Sequence, residues 1–148
     1  MRKRSHSLKK FLAIAAADEQ RTGKLAGQIR RELDDHIGRL GELNAFRHDY
    51  LGKAPASGSL NSAHFKDYQS FLARLDAAVN AQQQIVADSE QNLELHRQRW
   101  LQKRQRLESL ERVLERYQQE EQEHEERLEQ RILDDLPSGP LPYDEDDA

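Results

Sequence analysis

Six histidines stand in this chain, at 6, 36, 48, 64, 96 and 124, and two of them follow a glutamate by four residues: His36 after Glu32 and His124 after Glu120. On a helix that spacing sets a carboxylate and an imidazole on one face, which is the beginning of a metal site. A structural zinc needs four protein ligands and a catalytic zinc three. With 27 acidic residues present, such pairs arise by chance, so no metal is expected. Gly23-Lys24 is not preceded by a phosphate-loop pattern. The absence of cysteine removes disulfides, thiolate metal sites and thiol chemistry. A Ser-His-Asp triad requires a concave pocket, and the elements derived below do not build one. The chain is therefore expected to have no catalytic residues, cofactor or small-molecule substrate, and not to be an enzyme.

Two other groupings point to binding. Arg2, Lys3, Arg4, Lys9 and Lys10 make a basic start, but Phe11 is the one aromatic residue beside them. That is a poor footprint for nucleic acid, and none is expected as a partner. The stronger grouping is aromatic: Phe46, Tyr50, Phe65, Tyr68 and Phe71 gather on both sides of one Gly- and Pro-containing stretch. Rings there could simply close a seam. Two helices cannot bury five rings on all sides, however, and exposed aromatic patches mark partner sites.

The elements that must carry these residues are helices. From Phe65 onward, apolar positions recur in alternating steps of three and four. One series is Phe65, Leu72, Val79, Val86, Leu93, Trp100, Leu107, Leu114, Glu121, Leu128; the other is Tyr68, Leu75, Gln82, Ser89, His96, Lys103, Leu110, Tyr117, His124, Arg131. These are the two seam positions of a coiled coil, and a strict seven-residue repeat implies a left-handed supercoil. No Gly or Pro interrupts residues 62–136. The first half has a comparable stripe: Leu8, Phe11, Ala15, Asp18, Thr22, Leu25, Ile29, Leu33, Ile37, Leu40, Leu43, Phe46, Tyr50. Gly23, Gly27, Gly38 and Gly41 lie within it, each unfavourable by up to about 1 kcal/mol relative to Ala.

The spacing predicts helix one over about 5–51, a loop over about 52–61 and helix two over 62–136. Gly52 suits a C-cap, Pro55 and Gly58 break the helix, and Ser59, Asn61 or Ser62 can cap the next. A short connector between two striped helices predicts antiparallel neighbours. The expected fold is all-α, a single antiparallel left-handed coiled-coil hairpin with a longer second helix. Folding at the connector sets Tyr50 against Tyr68, Leu43 against Leu75, Leu33 by Val86 and Leu8 by Leu110. It sets Trp100 near Asp18, between the small residues Ala15 and Thr22. Residues from about 112 to 136 are then left without a partner in the chain. The seam is polar from Gln82 to Lys103, which makes its middle weak.

Composition agrees with this architecture. At 36% hydrophobic and 34% charged, the chain has too little apolar material for a thick core, while its Leu, Glu, Gln, Arg and Ala are strong helix formers. Residues 1–31 carry nine basic and two acidic groups, and residues 115–148 three basic and thirteen acidic; an antiparallel pairing sets these opposite charges together. The start resembles a short signal peptide, but Phe11–Ala17 also continues the helical stripe, and the helix is the expected reading. No apolar run approaches the roughly 20 residues that span a bilayer. Residues 137–148 are Pro-containing and acidic, and are expected to be a disordered tail.

Phe46-Arg-His-Asp-Tyr-Leu51 ending the first helix, Tyr68-Gln-Ser-Phe-Leu-Ala-Arg-Leu-Asp-Ala-Ala78 opening the second, Trp100 with Lys103-Arg104, and Leu110-Glu-Arg-Val-Leu-Glu-Arg116 together resemble the FliJ family, the small coiled-coil protein of the bacterial flagellar type III export apparatus. The resemblance covers nearly the whole chain, the acidic tail excepted. It implies a fold like the two-helix stalk of a rotary ATPase γ subunit, located in the cytoplasm at the inner membrane's cytoplasmic face, at the flagellar base. It implies two partners, the hexameric export ATPase FliI and the export gate FlhA, with export chaperones as further candidates. On matching positions the gate contact would be Leu43, Phe46, Tyr50, Phe71, Leu75 and Ala78; relatives often have Tyr where this chain has Phe46. The ring contact at the terminal end would be Lys9, Lys10, Val113, Leu114, Tyr117 and Leu128. The alternatives are the equivalent YscO-type stalk of a virulence system and a purely structural, self-associating coiled coil.

Overall fold

The computed structural model describes residues 2–53 and 62–137, with side chains from Arg4 to Lys53 and from Ala63 to Pro137. Two helices account for nearly all of this, α1 (Arg2–Gly52) and α2 (Ser62–Asp135). α1 begins about one turn earlier than its apolar stripe suggested. It ends in a tight turn in which the Lys53 amide donates to the Tyr50 carbonyl at 3.1 Å. α2 stops before Pro137, whose ring disfavours helical backbone in the residue ahead of it; the Leu136 amide turns back to the Leu133 carbonyl at 3.3 Å. Loop residues 54–61 and residues 138–148 of the expected tail lie outside the described residues.

The chain divides into two compact units, one drawing on Met1–Ala16 and Gln105–Ala148, the other on Ala17–Arg104. Within each, α1 and α2 run antiparallel. In Ala17–Arg104 the Tyr50 and Tyr68 rings stack with centroids 4.9 Å apart, the Gln82 side-chain amide donates to the His36 carbonyl at 2.9 Å, and Lys103 pairs with Asp18 at 2.8 Å. From Tyr68 the inward positions of α2 follow the expected repeat: Tyr68, Leu72, Leu75, Val79, Gln82, Val86, Ser89, Leu93, His96, Trp100 and Lys103 are buried or half-buried, whereas Phe65, the first expected position, is exposed. The core they form is thin. Its buried apolar members among the described residues are Ile29, Leu33, Leu75, Val79 and Val86.

α1 departs from the stripe read in its sequence. Phe11, Leu25, Ile37 and Phe46 are 63%, 43%, 46% and 52% exposed. The positions turned inward are Ser5, Leu8, Leu12, Ala15, Glu19, Thr22, Ala26, Ile29, Leu33, His36, Leu40, Leu43, Arg47 and Tyr50. That series keeps the strict three-four alternation of a coiled-coil seam, whereas the apolar count had wandered off it. Several polar members are held: Thr22 Oγ1 donates to the Glu19 carbonyl at 2.9 Å, and Arg47 pairs with Asp76; the buried Nδ1 of His36 has no hydrogen-bond partner among the described residues.

Trp100 sits close to where the register put it, but the small residue beneath its ring is Gly23. A Cβ at position 23 would lie 2.9 Å from Trp100 Nε1 and 3.2 Å from Cδ1. The ring cannot easily yield, because its Nε1–H donates to Glu19 Oε1 at 2.9 Å and the Arg104 guanidinium lies 5.5 Å from its centroid. Gly23 is thus the clearance for the largest side chain of the seam rather than a weak point. At Gly27, one turn away, a Cβ would meet nothing within 4 Å. Gly23→Ala is therefore expected to destabilise the protein by about 1–3 kcal/mol through overpacking. Gly27→Ala is expected to stabilise it by roughly 0.5–1 kcal/mol through helix propensity. Urea melts of the two variants check the pair; equal effects of one sign would contradict this account.

In the unit containing the termini, Ser5 Oγ donates to Glu121 Oε2 at 2.9 Å, and Leu8 lines a groove with Tyr117. Glu121, the charged exception in its series, thus meets the small hydroxyl of Ser5. Val113, Leu114, Tyr117 and Glu121 are accordingly half-buried. The stretch expected to lack a partner from about 112 onward is in fact packed as far as Glu121; residues 122–135 are exposed throughout.

Candidate partner-binding surfaces

An antiparallel two-helix coil has two edges, one on each side of its seam. In Ala17–Arg104 these edges differ. One carries Phe46 from α1 and, at successive heptads of α2, Phe71, Ala78 and Ile85. Phe46 and Phe71 meet edge to face with centroids 6.2 Å apart, and Tyr50 tilts against Phe71 at 4.6 Å. Phe46, Phe71 and Ile85 are 52%, 38% and 42% exposed. On the other edge the same heptads of α2 present Gln69, Asp76, Gln83 and Glu90. The apolar edge runs into a shallow groove of about 620 Å³ lined by Phe46, Tyr50, Lys53, Asp67, Tyr68 and Phe71 among others. The Tyr68 hydroxyl points across it to the Tyr50 carbonyl at 3.4 Å.

The six residues expected at the gate contact separate into layers. Phe46 and Phe71 are exposed; Leu43, Tyr50 and Ala78 are half-buried; Leu75 is 6% exposed and belongs to the core. Leu75 offers almost no surface to a partner. Ile85 was missed by the sequence reading. The signal was present, since Phe71, Ala78 and Ile85 are spaced by sevens just beside the seam.

The terminal unit presents a different surface. Arg4, Ser7, Leu8, Phe11 and Tyr117 line a groove of about 590 Å³, with the Arg116 guanidinium 5.9 Å from the Tyr117 ring centroid. Of the residues expected at the ring contact, Lys9 and Lys10 are exposed and Leu128 is 43% exposed, while Val113, Leu114 and Tyr117 are half-buried. Beyond Glu121 the helix exposes Leu128, Ile132 and Leu133, the last two by 64% and 66%.

Among the described residues, no three His, Asp or Glu side chains are grouped so as to hold a metal. No helix among them is long and apolar enough to cross a membrane. What the arrangement can do is present rings and aliphatic side chains to a partner at one place, and an uncovered acidic helix with an apolar stripe at another.

Comparison with known proteins bears on which partners these are. A family model described as "Flagellar FliJ protein" matches residues 4–138. The curated Flagellar FliJ protein of Escherichia coli (strain K12) is 23% identical over 125 residues, covering 83% of this chain and 85% of that protein. No solved structure matches the chain.

Proposed function

The chain belongs to the family of the flagellar FliJ protein, a component of flagellar protein export, and we propose from that premise that it works as a non-enzymatic coiled-coil stalk at the cytoplasmic face of the inner membrane at the flagellar base. Its apolar edge contacts the export gate FlhA, and its terminal unit engages the ring of the export ATPase FliI. Export chaperones are further candidate partners. The observation that carries the gate contact is the contrast between the two edges. Rings and aliphatic side chains stand half in water on one edge at the positions that the other gives to Gln, Asp and Glu. For the ring, the supporting feature is the uncovered stripe of residues 122–135. A pore encloses a helix on all sides and would cover every exposed apolar residue of that segment at once. The segment carries six acidic and two basic side chains, so association should slow as salt shortens the Debye length below about 8 Å.

The gate contact is tested by Phe46→Ala and Phe71→Ala. Each ring is partly in water, so each variant is expected to melt within about 1.5 kcal/mol of the parent, the worth of an aromatic pair. Binding to FlhA should weaken by about 2 kcal/mol or more, as at an interface hot spot. Leu75→Ala is the comparison, expected to lower stability by about 2–5 kcal/mol as a core truncation. Isothermal titration at a temperature where all three stay folded reads the difference. Phe46→Ala and Phe71→Ala binding as tightly as the parent would refute the gate contact.

A further inference from the structure

Beside Trp100 the polar edge of Ala17–Arg104 opens into a groove of about 540 Å³ that no proposed partner uses. Its floor is apolar and low: Gly23, Ala26 and Gly27 on α1, Leu93 and Trp100 on α2. Gly27 leaves open space where a side chain would stand. Three cations border it, Lys24, Arg30 and Arg97, all exposed. The acid on the rim, Glu19, is half-buried and takes the Trp100 Nε1–H. The groove is therefore a positively charged trough between helices, shallow enough at its glycine for another backbone to come close.

The chain also supplies a shape that fits such a trough. Residues 122–135 form a helical segment with exposed Leu128 and Ile132 one turn apart. Its charged residues are Glu123, Glu125, Glu126, Glu129, Asp134 and Asp135 against Arg127 and Arg131. The groove spans Glu19 to Arg30 along α1, on the order of 16 Å at 1.5 Å per residue; the segment measures on the order of 21 Å. Apolar side chains would find the apolar floor, and flanking carboxylates would find the three cations. Complementary potentials of this kind fix orientation and exclude mismatched partners.

We infer that the groove beside Trp100 receives the acidic segment 122–135 of a second copy of this chain. The contact is heterologous: groove and segment are different surfaces, so each molecule offers one of each, and association continues head to tail unless a ring closes. The groove belongs to neither partner proposed above, but the segment is the one assigned to the ATPase ring, so self-association and ring entry would compete for residues 122–135.

Sedimentation velocity on the full chain tests it with two variants. Gly27→Leu with Arg30→Glu fills and recharges the groove; the space above Gly27 is open, so the fold should tolerate it. Leu128→Ser with Ile132→Ser silences the segment at exposed positions. The parent is expected to gain average mass as its concentration rises through the micromolar range, and to lose that gain at high salt. Each variant alone should remain a monomer. Their mixture should form a one-to-one complex and nothing larger, since it restores one groove and one segment. A parent that stays monomeric throughout overturns the inference. So does a groove variant that still self-associates, which would mean that segments pair with each other. A segment variant that still self-associates, or a mixture that forms no complex, overturns it equally.

Discussion

Leu33→Asp is expected to abolish the cooperative unfolding transition at 25 °C, and Ile37→Asp, four residues away, is expected to leave it nearly unchanged. Both are aliphatic residues of one stretch of α1, and the sequence reading placed both on the stripe. Leu33 is 8% exposed and sits in the seam with Ile29, Val79 and Val86; Ile37 is 46% exposed. Removing a buried leucine loses about 2–5 kcal/mol, and leaving a carboxylate in its place without a partner adds a desolvation penalty of several kcal/mol more. The total reaches the whole stability of an ordinary domain, about 5–15 kcal/mol, and this core is thin. The exposed position should respond within about 0.5 kcal/mol, as surface substitutions do. Circular dichroism at 222 nm through a urea titration reads both. Both variants unfolding alike would mean that the seam runs along the apolar count after all.

The second large effect concerns the end of α2. A chain stopped after Glu121 should keep the parent's melting transition, because every residue of 122–135 is exposed. It should nonetheless lose its stimulation of the export ATPase if the proposed ring contact lies there. A chain stopped after Leu136 should retain both properties, which separates the segment from the tail. The cut belongs at Glu121 and not at Val113: Val113, Leu114 and Tyr117 are half-buried within their own unit, and removing them would damage the fold as well as the contact. Full stimulation by the shorter chain, measured as ATP hydrolysis by FliI at fixed ring concentration, would rule out this end. The edge carrying Phe46 and Phe71 would then be the candidate.

How much of this was legible depended on which side chains marked the seam. α2 announced itself because Leu, Val, Trp and Tyr fall on its inward positions at regular intervals from Tyr68 to Tyr117. α1 misled because its seam uses Ser5, Glu19, Thr22, His36 and Arg47, while larger apolar residues stand just beside it at Phe11, Leu25, Ile37 and Phe46. Hydrophobicity alone ranks Phe46 above Arg47. Several of the bonds that make the polar choices tolerable belong to the partner helix and are invisible until it is present: Asp76 for Arg47, Glu121 for Ser5 and the Trp100 indole for Glu19. The meeting of Ser5 with Glu121 was hidden likewise, since neither residue is apolar. Of the binding edge, the rings were visible from composition and family resemblance. Which of them face water was not, since that follows from the α1 frame.

Gly23 beneath Trp100 carries a consequence for how such a chain can change length over evolutionary time. A coiled coil ordinarily accepts the gain or loss of a heptad in one arm, because the new seam is as good as the old. Here an insertion of seven residues between Gly23 and the loop, unanswered in α2, would bring Glu19-to-Gly23 out from under the indole and drive a residue with a Cβ into the 2.9 Å gap. The arms on the loop side of Trp100 are thereby locked to each other in length, and insertions there must arrive as matched pairs.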